Sequence, residues 1–580
     1  TVICTDKTGT LTQNAMTVVA AVANGRRLRV TGEGYAPAGG FFDGETAVAP
    51  HADAGLLLLL TGAAACNDAH LVHNDSAAWQ IVGDPTEGAL ITVAAKAGVE
   101  TAALAGTLPR IGEHGFDAER KRMTTFHRND AGLALGARVS PVIAFVKGAP
   151  DLVLALCTQH LVDGDVQRLD ASARARILDE IRALSGAALR VLAVAARPFD
   201  AQPAGVEAVD TERDLVFVGL LGMIDPPRPE AIAALAAARA AGIRSVMVTG
   251  DYRETAEAIA HSIGLTRANG LVLSGAELDR MDDAALAACV DRLAVCARVS
   301  PQHKTRIVAA LQARGEVVAM TGDGVNDAPA LKRADIGVAM GVTGTDVARE
   351  TADMVLTDDN FASIVAAVEQ GRIIYANIRK FVYFLLACNI GEILIVAGAM
   401  FCGLPLPLKP VQLLWLNLVS DGAPALALGL ERGDPDVMQR PPRPPSEPVV
   451  DRRMALGIAV VAVVDALAIL AVFALALQRY PGDLAHAQTI AFVTLCSSEL
   501  IRAFAARSER HSVFALGVFS NRWMVWAVGA SLALVLALVY LPPLQPLLGT
   551  APLTAADWLL MLPFLFAAPA AMELFKRFAR

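Results

Sequence analysis

Beyond about residue 373 the sequence is dominated by six apolar runs, at 381–404, 411–430, 455–477, 487–504, 523–541 and 558–575. A helix of about 20 apolar residues spans the hydrocarbon core of a bilayer, and each run reaches or nearly reaches that length. In lipid the backbone must satisfy its own hydrogen bonds within the segment, so runs of this kind are helices. Residues 371–580 are therefore expected to form an all-α bundle of six transmembrane helices in a multi-pass membrane protein. Arg432, Arg440, Arg443, Arg452 and Arg453 lie between the second and third runs, and Arg507, Arg510 and Arg522 between the fourth and fifth. Lys576, Arg577 and Arg580 close the chain, while the alternate loops hold little more than Lys409 and Arg479. The positive-inside rule places the Arg-rich loops, and everything before the first run, on the cytosolic side. The proline-rich stretch 441–448 reads as a stiff connector there.

The first 370 residues are of a different kind. The chain is 54% hydrophobic and 19% charged, too apolar for a soluble enzyme and too charged for a protein wholly in the membrane. That average conceals the two halves. The net charge of −8 and the absence of a dense basic patch argue against a nucleic-acid partner. Eight scattered Cys show neither metal-type spacing nor a disulfide framework, which suits a reducing cytosol.

Three short apolar strands, at 2–4, 246–248 and 317–320, each end in polar residues. They lead into Asp6-Lys7-Thr8-Gly9-Thr10, Thr249-Gly250-Asp251 and Thr321-Gly322-Asp323-Gly324-Val325-Asn326-Asp327. Strands alternating with helices imply a parallel sheet, and the carboxyl ends of such strands are where ligands bind. A carboxylate at that edge, Asp6, suits nucleophilic attack on a phosphoryl group. It needs Mg²⁺ to suppress charge repulsion, and Asp6 and Asp323 can reach one hard cation from adjacent strands. Lys304, on a helix opened by Ser300-Pro301, can neutralise the transferring oxygens, and Thr249, Gly250 and Asn326 can donate hydrogen bonds to them.

Between these strands lies a second set of signals. Residues 17–36 read as strands and 53–66 as an apolar helix. Asp84-Pro85-Thr86-Glu87 reads as a capped helix start. An adenine ring needs an aromatic face and a triphosphate needs cations; Phe116 and the basic cluster Arg120-Lys121-Arg122 supply both. Lys147, in Lys147-Gly148-Ala149-Pro150, sits at a strand-to-turn junction. The prolines of Asp225-Pro226-Pro227-Arg228-Pro229 restrict the backbone and read as a hinge.

Taken in order, "DKTGT", "GDPTE", "KGAP", "TGD", the lysine and "TGDGVND" resemble the motifs of the type II, calcium-pump-like P-type cation ATPases. The resemblance implies an α/β haloacid-dehalogenase-like phosphorylation domain in two parts, 1–14 and 223–370. An α+β nucleotide-binding domain, 15–222, is inserted between them. It implies that Asp6 becomes an aspartyl phosphate, with Thr249, Gly250, Asp251, Lys304, Asn326 and Asp327 completing the catalytic set. Asp6, Asp323 and the Thr8 carbonyl are assigned to Mg²⁺, and Thr8, Glu87, Phe116, Lys121, Lys147 and Arg190 to ATP. The family's actuator domain carries a TGE loop; here Thr31-Gly32-Glu33 follows the phosphorylation motif and reads as a strand turn instead. Two rival readings are a soluble phosphatase of the same superfamily and an inactive or regulatory membrane protein. Such phosphatases carry a second Asp two positions after the nucleophile, where this chain has Thr8, and they lack six membrane runs. The intact motifs speak against long-standing decay. Because the chain opens at Thr1 inside a motif, it is expected to be the C-terminal part of a pump. The actuator domain and first four membrane helices would come from elsewhere, a separate chain included.

Ionisable residues in membrane runs are costly and are functional candidates by default. Asn389 and Glu392 share a face of the first run, and Asn417, Ser420 and Asp421 a face of the second. Glu499 lies in the fourth. These segments resemble the fifth, sixth and eighth membrane helices of calcium pumps, which implies that the six residues bind the transported ion. Arg502, one turn from Glu499, can pair with it or snorkel to the cytosolic interface, and Asp465 reads as a tolerated polar contact. Oxygen side chains suit a hard cation, and a thiolate pair is not evident among Cys388, Cys402 and Cys496. The resemblance favours Ca²⁺, exported across the plasma or inner membrane, because calcium pumps have Asn where this chain has Asn417 and sodium–potassium pumps have Asp; Na⁺/K⁺, H⁺, Mg²⁺ and Mn²⁺ are the alternatives.

Overall fold

A computed structural model describes residues 1–73, 79–203, 208–266 and 269–578; Arg580, counted in the terminal charge cluster, lies outside them. The chain forms two compact units, one of residues 1–239 and 243–364, the other of 240–242 and 365–580.

The first unit holds two large sheets. One is parallel and seven-stranded, in the order Leu271–Ser274, Leu293–Ala297, Arg244–Val248, Val2–Thr5, Val318–Gly322, Ile336–Met340, Met354–Leu356. Val2–Thr5 is its central strand and buried at every residue. Strands of a parallel sheet covered on both faces are continuous apolar runs, and Val2, Cys4, Val246, Val248, Val318 and Met320 share one core with Ile307 and Leu331. In register, Val2 sits opposite both Arg244 and Val318. The polar residues that follow the three strands (Asp6, Thr249 and Asp323) therefore leave the sheet side by side at one edge.

The other sheet is largely antiparallel. From one edge it runs Thr46–Val48, Phe41–Asp43, Arg26–Val30, Thr17–Ala23, Leu215–Ile224, Arg190–Phe199, Val142–Gly148, Arg122–Arg128, Arg110–Asp117. The helices Ala54–Ala65 and Pro85–Lys96 pack on it, N-capped by the side chains of Asp53 and Asp84. Its entering and leaving strands pair with one another, Ile224 opposite Thr17. The two chain crossings are therefore adjacent, and they are stitched together. Asp225 accepts from Thr12 Oγ1 at 2.5 Å and Ala15 N at 3.2 Å, and Arg228 N donates to the Leu11 carbonyl at 2.9 Å.

The second unit contains six helices long and apolar enough to cross a membrane, among the described residues. They are Phe361–Phe401, Pro410–Gly429, Arg452–Arg479, Leu484–Ala505, Arg522–Tyr540 and Ala555–Phe578. The first extends some twenty residues ahead of its expected apolar run. The sixth is interrupted at Phe566, three residues past Pro563. The fourth packs against the second, third, fifth and sixth, so its polar residues face protein. Arg507, one of the loop arginines, is buried against Glu431 at 2.7 Å. That contact locks two of the connections that the positive-inside rule assigns to one side.

Candidate functional site

At the edge of the parallel sheet, Asp6 is held by its backbone N–H, which donates to Thr321 Oγ1 at 2.9 Å. Lys304, in the helix Pro301–Ala313, is buried and bridges two carboxylates, at 2.8 Å from Asp6 Oδ2 and 2.8 Å from Asp327 Oδ1. Its N-cap, Ser300, accepts from the His303 N–H and fixes the start of that helix. Asp327 Oδ2 accepts from the N–H groups of Asp323 and Gly324 at 3.3 and 3.2 Å, which pins the loop that carries Asp323. Burial, then the neighbouring Asp6 and Asp327, raise the Asp323 pKa, and Lys304 only partly offsets them. For Lys304 burial acts downward, but Asp6 and Asp327 outweigh it and keep the ammonium charged. Two carboxylates thus bracket one lysine, with Asp323 close enough to feel all three, leaving negative charge for a divalent cation to answer. Lys7 serves Asp6 only through its backbone N–H, which donates to Asp6 Oδ1 at 2.7 Å. Its ammonium pairs with Asp251 and lies 4.0 Å from Asp225. Thr249 is buried, its N–H donating to the Cys296 carbonyl at 2.8 Å, whereas Thr8, Gly250 and Asn326 are exposed along the rim.

The nucleotide candidates collect at one end of the antiparallel sheet. Lys147 is buried and ion-paired with Glu87. Glu87 also accepts from the Asp68 N–H at 3.2 Å. On the neighbouring hairpin Lys121 has a φ of 50° and its carbonyl accepts from Ala149 N at 3.0 Å, so the turn is tied to the strand end of Lys147. Phe116, on that hairpin, is 70% exposed, a free aromatic face. Arg190 is exposed at the start of the next strand. The basic cluster divides, however. Arg120 and Arg122 turn to the fully buried Glu212, at 2.5 and 2.6 Å, and only Lys121 remains outward. Burial alone would raise the Glu212 pKa, but bonds from Thr124, Arg122 and Arg120 hold it below the usual carboxylate range. Glu212 was not found from sequence because it lies 90 residues from its partners, and no local pattern marks it.

In the helix bundle, Asn417 Nδ2 donates to Glu392 Oε2 at 2.8 Å and joins the first helix to the second. The second helix is not a regular α-helix at this point. A π turn spans Leu416–Ser420, so the α spacing assumed for Asn417, Ser420 and Asp421 does not hold; such turns recur at functional sites. Asn389 Nδ2 is spent on the Leu385 carbonyl of its own helix at 2.8 Å. Ser420 Oγ contacts Cys496 Sγ at 3.7 Å. Asp421 and Glu499 are fully buried, and neither oxygen of either accepts a hydrogen bond from the described residues. Arg502 does not snorkel; it pairs with Glu499, but at longer range than with Asp465. It is 1% exposed, donates to Asp465 Oδ2 at 2.7 Å, and stands 3.6 Å from Glu499. Asp465 is thus the counter-ion of Arg502 and no incidental polar contact.

Comparison with known proteins falls on the same parts. Residues 405–578 match the family described as cation transporting ATPase, C-terminus, and 56–230 match P-type ATPase, cytoplasmic domain N. Residues 151–332 and 304–368 match haloacid dehalogenase-like hydrolases. A calcium-transporting ATPase of Bacillus subtilis is 44% identical over 97% of this chain and 62% of its own length. The chain belongs to the P-type cation-transporting ATPases. A probable cation-transporting ATPase F of Mycobacterium tuberculosis is 42% identical over 96% of this chain and 61% of its own. Calcium-transporting ATPase type 2C member 1 of Bos taurus is 38% identical over 100% and 58%. The chain spans about three fifths of the length of these relatives. As a P-type ATPase chain it holds its haloacid-dehalogenase-like unit and its six membrane helices together, which disfavours the soluble-phosphatase reading.

Proposed function

We propose that this chain carries the phosphorylation site, nucleotide pocket and cation site of an ATP-driven pump whose transported ion is Ca²⁺. The observation that carries the reading is the placement of Asp6 against Lys304, with Asp327 paired to the same ammonium and Asp323 just past the end of the adjacent strand. In this reading an Asp6 oxygen attacks the γ-phosphorus of ATP, the bond to the β–γ bridging oxygen breaks, and ADP leaves. Lys304 stays charged and lies within reach of the phosphoryl oxygens, and the buried Thr249 and the rim residues Gly250 and Asn326 offer donors around them. Asp6, Asp323 and the Thr8 carbonyl would hold Mg²⁺, which supplies charge neutralisation between nucleophile and phosphate when bound. The residues present fit that ion, since Lys304 alone leaves the carboxylates under-compensated. With no Asp at position 8 to act as general base, water is poorly activated and the aspartyl phosphate persists.

In this reading Phe116 offers the adenine a face, and Thr8, Glu87, Lys121, Lys147 and Arg190 contact the rest of the nucleotide. Phe116→Ala should cost roughly 1 kcal/mol of stacking, a weakening of ATP affinity of about fivefold. Titration of the purified chain with a fluorescent ATP analogue measures it, and unchanged affinity counts against the pocket.

The calcium assignment rests on the names of the relatives, on Asn417 and on the buried carboxylates Glu392, Asp421 and Glu499, with Asn389 and Ser420 at the margin of the site. Phosphorylation from ATP, with each ion titrated separately, should respond to micromolar Ca²⁺. A response to Na⁺ with none to Ca²⁺ would overturn the assignment.

A further inference from the structure

We infer that Cys388, Asp421 and Glu499 form a mixed thiol–carboxylate site inside the helix bundle that takes thiophilic divalent cations, Cd²⁺ foremost, in competition with Ca²⁺. The inference rests on the cation-site reading above for its location, and on the sulfur for its chemistry. The Cys388 Sγ and one oxygen each of Asp421 and Glu499 all lie within 4.8 Å of one another. An ion at the centre of a triangle with such sides is at most about 2.8 Å from each corner, which small inward movements turn into ligand bonds; zinc–thiolate bonds are about 2.3 Å. The three side chains come from the first, second and fourth helices, so the site exists only through tertiary packing.

A cluster of acids alone would say little, but these acids have no hydrogen-bond partner among the described residues, and only Glu499 has an ion pair, at 3.6 Å to Arg502. Cys388 is 1% exposed and the two carboxylates are fully buried. All four carboxylate oxygens lack a hydrogen bond among the described residues. Ionised carboxylates withdrawn from water without partners are costly, and such groups pair or coordinate metals. Arg502 answers them only in part, through the 3.6 Å ion pair of its Nη2 with Glu499. Its Nη1 is on Asp465 at 2.7 Å, and Asp465 also accepts from Ser498 Oγ at 3.1 Å. Asp465 takes the shorter contact with Arg502 and Glu499 the longer one, so one guanidinium faces three buried carboxylates and leaves net negative charge for a divalent ion. Arg502 Nη2 lies 2.9 Å from Cys388 Sγ, which holds that side chain in place.

Sulfur decides the selectivity. Calcium is bound through oxygen, whereas thiolate ligands select softer metals. Cys388 therefore adds affinity for cadmium that it does not add for calcium. The ligand set is not the oxygen-only one read from the sequence, because Cys388 and Asp421 are 33 positions apart and no spacing pattern links them.

The test uses the purified chain in lipid nanodiscs with Cd²⁺ as the probe, read by the ultraviolet sulfur-to-cadmium charge-transfer absorption. It is made in a Cys402→Ser background, which removes the exposed thiol. One band saturating at one Cd²⁺ per chain is expected. Cys388→Ser should abolish it, and Asp421→Asn and Glu499→Gln should each lower its apparent affinity about tenfold or more. Calcium should displace it. A band that survives Cys388→Ser, or no band at all, overturns the inference. If radioactive Ca²⁺ still binds while no band forms, the calcium reading stands and this one falls. If the Cys388-dependent band forms and calcium does not displace it, the thiophilic site stands and its identity with the calcium site falls.

Discussion

Asp6→Asn is expected to abolish incorporation of labelled phosphate from the γ position of ATP. The amide matches the carboxylate in shape and is no nucleophile, so the loss should be complete and not partial. The local structure should survive, because Lys304 keeps its second bond, at 2.8 Å to Asp327, and the Thr321 hydroxyl still receives the residue-6 N–H. ATP binding should survive as well, since Phe116 and Lys147 lie on the other sheet and Glu87 on a helix packed against it. Loss of label with binding intact separates chemistry from folding. Lys304→Met makes the complementary case. It leaves the nucleophile but removes the cation between Asp6 and Asp327, and a slowing of roughly 10²–10³-fold is the usual cost of losing one such electrostatic contact. The measurement is acid-quenched labelling at saturating ATP. Label that persists in Asp6→Asn would remove Asp6 from the nucleophile role altogether.

What the sequence disclosed and what it concealed divide along a physical line. The parallel sheet and the six membrane helices were legible because apolar runs and the motifs at their ends are local signals. The motif Asp6–Thr10 is five consecutive residues that follow directly on the strand Val2–Thr5. The partners were less legible. Lys7, next to Asp6 in sequence, points its charge at Asp251, whereas Lys304, 298 positions away, reaches the carboxylate. Adjacency in sequence says little about contact once a strand turns. Arg120 and Arg122 looked like phosphate ligands beside Lys121, but a buried Glu212 takes both. In the bundle, the π turn at Leu416–Ser420 shifts the spacing on which the shared face of Asn417, Ser420 and Asp421 was argued. Such a turn adds a residue to one helical circuit, and composition gives no notice of it. Asp465 was the least legible residue, since its role is defined wholly by a partner on another helix.

That pair leads to the second large effect. Asp465→Ala should destabilise the bundle by about 3–5 kcal/mol, the range for stripping one partner from a buried ion pair. Arg502 is 1% exposed and cannot turn to water without disrupting the fourth helix, which is enclosed by its neighbours. The next acid in reach is Glu499, already 3.6 Å from Arg502 Nη2. In the variant the guanidinium is expected to move onto Glu499 and occupy it, so the loss of stability should come with a marked loss of calcium-dependent phosphorylation. Asp465→Leu combined with Arg502→Met removes both charges together, and replacement of a whole buried pair by apolar groups is often close to neutral. The double variant should therefore recover most of the stability, a non-additivity of the kind that coupled residues show. It should also leave Glu499 free for the cation and restore the calcium response. SDS-titrated unfolding of the reconstituted protein gives the stabilities, and ATP labelling gives the response. If the single variant behaves like a surface substitution, or if the double variant loses the sum of the two single effects, Arg502 and Asp465 are not the self-contained pair that keeps the cation site negative.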